Sequence, residues 1–264
     1  MIGRLLLILT LLVCLPIPAA TAEPDPTSEP AADLGEEVAE VSRTWAKAKA
    51  NAAQIENYEA LVILTERHGG RIKGSEYIRC VYNRDPFALY YQWTEPGLYE
   101  GLQASHDPVR DGADHFMALE TGVRSLIGLR RWHVDSRIIK ALYPHHFSLT
   151  KYHIGFLLEH VDWIHRNAIA KGKIKVRIDR PEGEDLSKSP IPGHRLTFFT
   201  IDLSEDPDDG LLYSRCVLGV DEQTSLPLFI ETYDFEDRLQ LSYKILSLTP
   251  NTNLDVSVFT LKKR

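Results

Sequence analysis

Six histidines, His133, His145, His146, His153, His160 and His165, crowd into one stretch of the chain. Neutral imidazole is the commonest transition-metal ligand, so this is the first place to look for a metal site. The spacing speaks against one. Metal-binding helices place their ligands at i and i+4, whereas His160 and His165 are five apart, and no HExxH pattern is present. His153 and His160, seven apart, would share a helix face, and a solvated or hydrogen-bonded surface face is the reading favoured over a metal site. The acidic run Glu205-Asp206-Pro207-Asp208-Asp209-Gly210 does not set its carboxylates on the alternate positions a calcium loop requires, and reads as a hairpin turn. There is no G-x-S-x-G elbow, no phosphate-binding loop and no C-x-x-C pair. A triad assembled from distant residues is recognised only by geometry, so the sequence leaves that possibility open. No cofactor is implied.

Three further sets of residues could bind rather than react. Arg124, Arg130, Arg131, Arg137 and Lys140 form a local basic cluster, suited to lipid phosphates or a partner's carboxylates, or else a solvated helical face. Cys80 and Cys216 sit in strand-like segments far apart in sequence and are either a disulfide or two buried thiols. The aromatic set Tyr58, Tyr77, Phe87, Tyr91, Trp93, Phe198 and Phe229, with Leu89, falls in or beside strand-like segments. These eight residues are the candidate lining of an apolar ligand cavity; the competing reading is a packed core that holds nothing.

The elements that must position these groups follow from periodicity. Val38, Val41, Trp45, Ala48, Ala52 and Ile55 repeat at three- and four-residue steps, predicting a helix to about Asn57, with Asp33 and Glu36 as a capping box. The period then changes to two. Strands are expected at Tyr58–His68 and Ile72–Tyr82, joined by a Gly69-Gly70 hairpin. Another follows the Asp85-Pro86 turn, where Phe87, Leu89, Tyr91 and Trp93 share one face, and a fourth at Leu98–Ser105. Turns this short make antiparallel neighbours, not crossovers. Residues 122–143 show no clean strand period. Leu149–Arg166 reads as a helix with Ile154, Leu157, Leu158, Val161 and Ile164 on one stripe. Strands resume at Ile174–Asp179, His194–Leu203, Leu211–Val220, Leu226–Tyr233 and Leu239–Leu248, with a last short one at Val256–Leu261. The expected class is α+β: one large curved antiparallel sheet, a half-barrel, with helices packed on its concave face.

This order resembles the LolA-like superfamily of outer-membrane lipoprotein carriers, and within it an uncharacterised bacterial family of unknown function. The likeness rests on Arg84-Asp85-Pro86-Phe87, on Pro-Gly-x-Tyr-Glu-Gly at 96–101, and on Ser-Leu-Thr followed by His-Ile-Gly between Phe147 and Leu158. It also rests on Leu-Pro-Leu-Phe-Ile-Glu-Thr-Tyr-Asp at 226–234 and on the closing segment Tyr243–Phe259 with Asn253. It covers about residues 36–262. The resemblance implies export, a half-barrel plugged by helices over an apolar cavity, and a lipid or lipoprotein acyl chain as ligand; it brings no catalytic residues. Two departures stand out. The loop Ser105–Gly112 is longer and more charged than that corner implies, and no lipidation cysteine follows the leader.

The leader is residues 1–22: Arg4, an apolar run Leu5–Leu15, Pro16 and Pro18, then Ala20-Thr21-Ala22, predicting cleavage after Ala22 and an exported chain in the periplasm or envelope. An uncleaved membrane anchor is the rival. Cys14 lies inside the apolar run with Val13 where a lipobox needs a small residue. Residues 23–35 are acidic, Pro-rich and poor in apolar groups, a disordered linker, and 36–264 form one domain. A formal charge of −7 argues against nucleic acid as a partner. The expectation is a non-catalytic envelope binder of an apolar ligand, lipid or lipoprotein, with peripheral membrane contact compatible with the basic cluster. The alternatives are an interaction module with a solid core and a histidine-dependent envelope hydrolase or metal enzyme. Oligomeric state is not encoded in any feature of the sequence.

Overall fold

The computed structural model describes residues 35–94, 100–113, 115–119, 132–135, 153–170, 174–180, 189–203 and 213–261. Eleven strands form one open antiparallel sheet in the order β6-β5-β4-β3-β2-β1-β11-β10-β9-β8-β7. They are β1 (Asn57–His68), β2 (Arg71–Asn83), β3 (Ala88–Trp93), β4 (Gln103–His106), β5 (His115–Leu119), β6 (Trp132–Asp135), β7 (Lys175–Asp179), β8 (Leu196–Asp202), β9 (Arg215–Asp221), β10 (Pro227–Tyr233) and β11 (Leu239–Pro250). Helices α1 (Glu36–Ala52), α2 (Pro108–Asp111) and α3 (Ile154–Ala170) complete the described elements with a 3₁₀ helix at Val256–Thr260. The expected α+β class, an antiparallel sheet with helices on one face, is the one found.

Local chemistry explains the elements. Gly69 and Gly70 both take positive φ, 54° and 81°, the conformation a two-residue hairpin needs. β1 and β2 then zip from His68↔Arg71 to Asn57↔Asn83. α1 buries Val38, Val41, Trp45, Ala48 and Ala52, the stripe read from its spacing. Its N-cap is Gly35, without a side-chain cap, so the expected capping box is absent. The third helical residue is Val38, which has no carboxylate to return the bond, while Glu36 and Glu37 sit where the helix dipole favours negative charge. α1 stops at Ala52, short of Asn57, because Asn57 already opens β1 and its carbonyl accepts from Asn251 N at 2.7 Å.

Three elements differ from expectation. β5 and β6 were not visible as strands. β5 has Phe116 and Ala118 buried on one face and Met117 and Leu119 on the other, which erases alternation. β6 has only four residues. The last segment is the 3₁₀ helix, not a strand; the Asp255 carboxylate caps it by accepting from Ser257 N. Its Phe259, with Leu261, covers Val81, Ala88, Tyr90, Met117 and Leu119 in a small second core. Ser105 Oγ and Arg110 Nη1 both donate to the Phe259 carbonyl, at 2.7 and 2.6 Å. The long charged corner 105–112 is therefore an anchor for the chain's end, built around α2 and its Asp107 cap.

Cys80 and Cys216 are free and buried. Both face the helix side of the sheet, but β2 and β9 are four strand spacings apart, about 19 Å, well beyond the roughly 7 Å that a disulfide tolerates between Cα atoms. Burial pushes both thiols up to about 12. A chain starting at Glu23 should show neither thiol reacting with Ellman's reagent until denatured, then two per molecule. The opposite face has a tight point at Gly219, where a Cβ would lie 2.8 Å from Phe229 Cβ and 3.0 Å from Phe198 Cε1. Gly219→Ala is expected to cost about 1–3 kcal/mol in urea unfolding; an unchanged midpoint would mean that the aromatic pair yields freely.

Candidate functional site

The helix-bearing face is where an apolar ligand would sit, and cross-strand register decides which side chains reach it. α1 meets α3 through Trp45 Nε1, which donates to the Leu158 carbonyl at 3.2 Å, and through a Lys49–Asp162 ion pair at 3.0 Å. α3 meets the sheet where Ile154 N donates to Tyr58 Oη at 3.3 Å. Tyr58 pairs with Tyr82, and Tyr82 with Leu89, so this row and every second residue from it lie under the helices.

Of the eight candidate cavity residues, Tyr58, Leu89, Tyr91 and Trp93 are buried on that face. Phe87 is half-buried at its margin, edge-on to Tyr82, His106 and His153. The other three are corrected by register. Tyr77 pairs with Ile63, one residue out of phase with the Val62–Ile78 pair of the core, and so points to the opposite face. Phe198 and Phe229 flank Gly219 on that same opposite face, rings 5.6 Å apart, with the Lys244 ammonium 5.1 Å from the Phe229 centroid. Strand membership was readable from the sequence, but the phase of each strand was not.

The register also gathers residues the sequence did not single out. Ala60, Cys80, Tyr91, Ala104 and Ala118 follow one another across β1 to β5 in a single row. Four of the five are small. Tyr58, Tyr91 and Tyr243 bring phenols into the same interior, and burial raises all three above their usual range. They are therefore neutral hydrogen-bonding groups in an apolar setting.

The three histidines of the α3 segment, His153, His160 and His165, have other work than a solvated face. His153 caps α3: its carbonyl accepts from Leu157 N at 3.0 Å and its Nδ1 from Phe156 N at 3.3 Å. Its ring stacks on Tyr82, which stacks on Tyr58. Phe156, His160 and Trp163 continue a ring stack along α3. His165 is buried in the helix's apolar stripe. His133 is exposed on β6. His145 and His146 lie outside the described residues, as do the basic cluster Arg124, Arg130, Arg131, Arg137 and Lys140 and the acidic turn 205–210. Among the described residues no three His, Cys, Asp or Glu side chains are placed to hold a metal ion.

A cleft of about 140 Å³ opens where α1 crosses β8 and β9, lined in part by Glu40, Lys47, Arg180, Thr197 and Asp221. Its charges are largely consumed internally. Glu40 pairs with Arg180, and Asp221 accepts from Thr224 N and Oγ1 while facing His194 Nδ1 at 3.1 Å.

A family model covers the segment from just before β1 to the chain's end, residues 55–263. The chain belongs to the DUF1571 family. That family is described as a protein of unknown function. No curated protein matches this DUF1571 member in sequence. Among solved structures, it is similar to an uncharacterized conserved protein from Thermus thermophilus (10% identity, 85% of this chain and 95% of that one, TM-score 0.46). It is also similar to the lipoprotein LppX of Mycobacterium tuberculosis (10% identity, 83% and 97%, TM-score 0.45) and to a LolA superfamily protein from Nitrosomonas europaea (9% identity, 82% and 96%, TM-score 0.32). The family of unknown function to which the sequence resemblance pointed is the one that matches.

Burial, with His106 nearby, pushes the His153 imidazole down to about 4. Above pH 6.5 both folded and unfolded chains hold this ring neutral and it is silent. As pH falls from about 6.5 to about 4 the unfolded chain gains a proton that the fold refuses, so stability falls, by on the order of 2–3 kcal/mol. His153→Asn keeps an N-cap acceptor without titrating. Urea unfolding at pH 7 and pH 4 should show a smaller acid loss in the variant; an equal loss would place the acid sensitivity elsewhere.

Proposed function

We propose that this protein is a non-catalytic binder of an apolar ligand, a lipid or lipoprotein acyl chain, held against the helix-bearing face of its sheet in the cell envelope. The observation that carries the reading is the row Ala60, Cys80, Tyr91, Ala104 and Ala118. Large side chains fill the rest of this face: Val62, Ile78 and Trp93 on one side of the row, and Leu89, Phe116 and Val134 on the other. On this reading the small residues on either side of Tyr91 form a trough across the strands, into which an acyl chain would fit. Burying about ten methylenes at about 0.8 kcal/mol each supplies roughly 8 kcal/mol, the scale of a micromolar complex before ordering costs. The LolA-like resemblance supplies the choice of lipid, and the sequence's leader supplies the envelope. No helix among the described residues is long and apolar enough to cross a membrane.

Native mass spectrometry of residues 23–264, purified from its own envelope, should show a bound mass that extracts into organic solvent. Ala118→Leu, which fills the trough, is expected to reduce that occupancy at least tenfold with an unchanged far-ultraviolet spectrum. A mass without ligand and no uptake of added lipid would turn the assignment to an interaction module with a solid core.

A further inference from the structure

α3 presents one buried stripe, Ile154, Leu157, Leu158, Val161, Ile164, His165 and Ala168. Six of these are aliphatic. His165 is the exception, and it is not at the margin: it lies one turn beyond Val161 and three residues before Ala168, in the line of the stripe. It is only 3% exposed, and its Nε2 has no hydrogen-bond partner among the described residues. The nearest acid on its own helix, Asp162, is engaged by Lys49 at 3.0 Å and Arg166 at 3.3 Å.

A buried polar nitrogen without a partner costs about 1–3 kcal/mol, and an aliphatic side chain here would avoid that cost. Burial also lowers the imidazole's affinity for a proton, so the ring is neutral. A neutral imidazole offers one N–H and one lone pair, so it matches a single uncharged oxygen group. A carboxylate or phosphate brought into this interior without a counter-charge would lose far more than one such bond returns.

We propose that His165 is the polar anchor of the apolar site, and that its ligand is an amphiphile whose buried end carries an uncharged oxygen group, an ester carbonyl or a hydroxyl. This rests on the apolar-ligand reading and narrows it. Chain burial supplies the affinity, and Nε2 supplies the register by fixing where along the chain the oxygen group stops.

The test compares three tritiated probes of one chain length, hexadecane, methyl palmitate and 1-hexadecanol at pH 7, by equilibrium dialysis against residues 23–264. Wild type is expected to hold methyl palmitate and 1-hexadecanol at least tenfold tighter than hexadecane. His165→Leu should bring all three within about twofold while still taking up hexadecane. His165→Gln, which keeps a neutral hydrogen-bonding group, should retain part of the preference and guards against a leucine variant that fails to fold. Uptake by wild type without preference, or a preference that survives in His165→Leu, overturns the anchor and leaves the apolar site standing. No uptake of any probe by wild type overturns both.

Discussion

The pairing of β1 with β11 is the constraint on which the rest of this molecule depends. It joins the first strand of the chain to the last, from Tyr58↔Pro250 to Glu66↔Leu241, in the middle of the sheet. Each half of the chain then builds outward as a meander, β1 to β6 on one side and β11 back to β7 on the other. The consequence is geometric. β6 and β7, consecutive among the described strands, end up on opposite edges, ten strand spacings apart along the sheet. α3 lies between them in sequence and packs on the covered face of the sheet. A connection forced across a sheet becomes its cover, so the covered interior follows from topology before any side chain is considered.

The side chains then make use of that enforced cover. Tyr58 stands at the start of β1, receives the first amide of α3 on its hydroxyl, and stacks through Tyr82 onto the capping His153. One cross-strand row therefore fixes where α3 begins. Trp45 fixes α1 against the middle of α3 through the Leu158 carbonyl. The opposite face has its own fastening, the carbonyl of Phe259 held by Ser105 and Arg110. β3, β4 and β5 are thus covered on both sides. That arrangement stiffens the part of the sheet that carries Tyr91, Ala104 and Ala118, where the proposed ligand would lie.

What could be read from the sequence was what local chemistry determines. Both long helices, the glycine hairpin and the five strands after α3 follow from period and turn residues, and all appear near their expected places. β5 was invisible because Phe116 and Met117 are both buried, on different faces, under different covers; a pattern method needs one wet face to see a strand. The candidate site was legible only in part. Tyr58, Leu89, Tyr91 and Trp93 do lie on the helix-bearing face, because aromatic and large aliphatic strand residues tend to be inside. Tyr77, Phe198 and Phe229 were misassigned because inside is a matter of register, and a shift of one residue exchanges the faces. His165 was counted as one of a histidine cluster, although its distance from Val161 already put it on the apolar stripe of its own helix.

The direction in which burial moves the interior's titratable groups bears on what kind of protein this is. A general acid, base or nucleophile works best when its pKa is brought toward the operating pH. Here burial moves them the other way. Cys80, Cys216 and Tyr213 rise to about 12, Tyr58, Tyr91 and Tyr243 rise as well, and His153 falls to about 4. Each is held further inside its uncharged form at neutral pH than it would be in water. An interior that neutralises its polar groups has lost reactivity but kept hydrogen bonds, and those bonds are directional where the surrounding contacts are not. Such a lining cannot readily transfer a proton to a substrate, yet it can distinguish one end of an otherwise featureless chain from the other. That combination is consistent with the apolar-ligand binding proposed above.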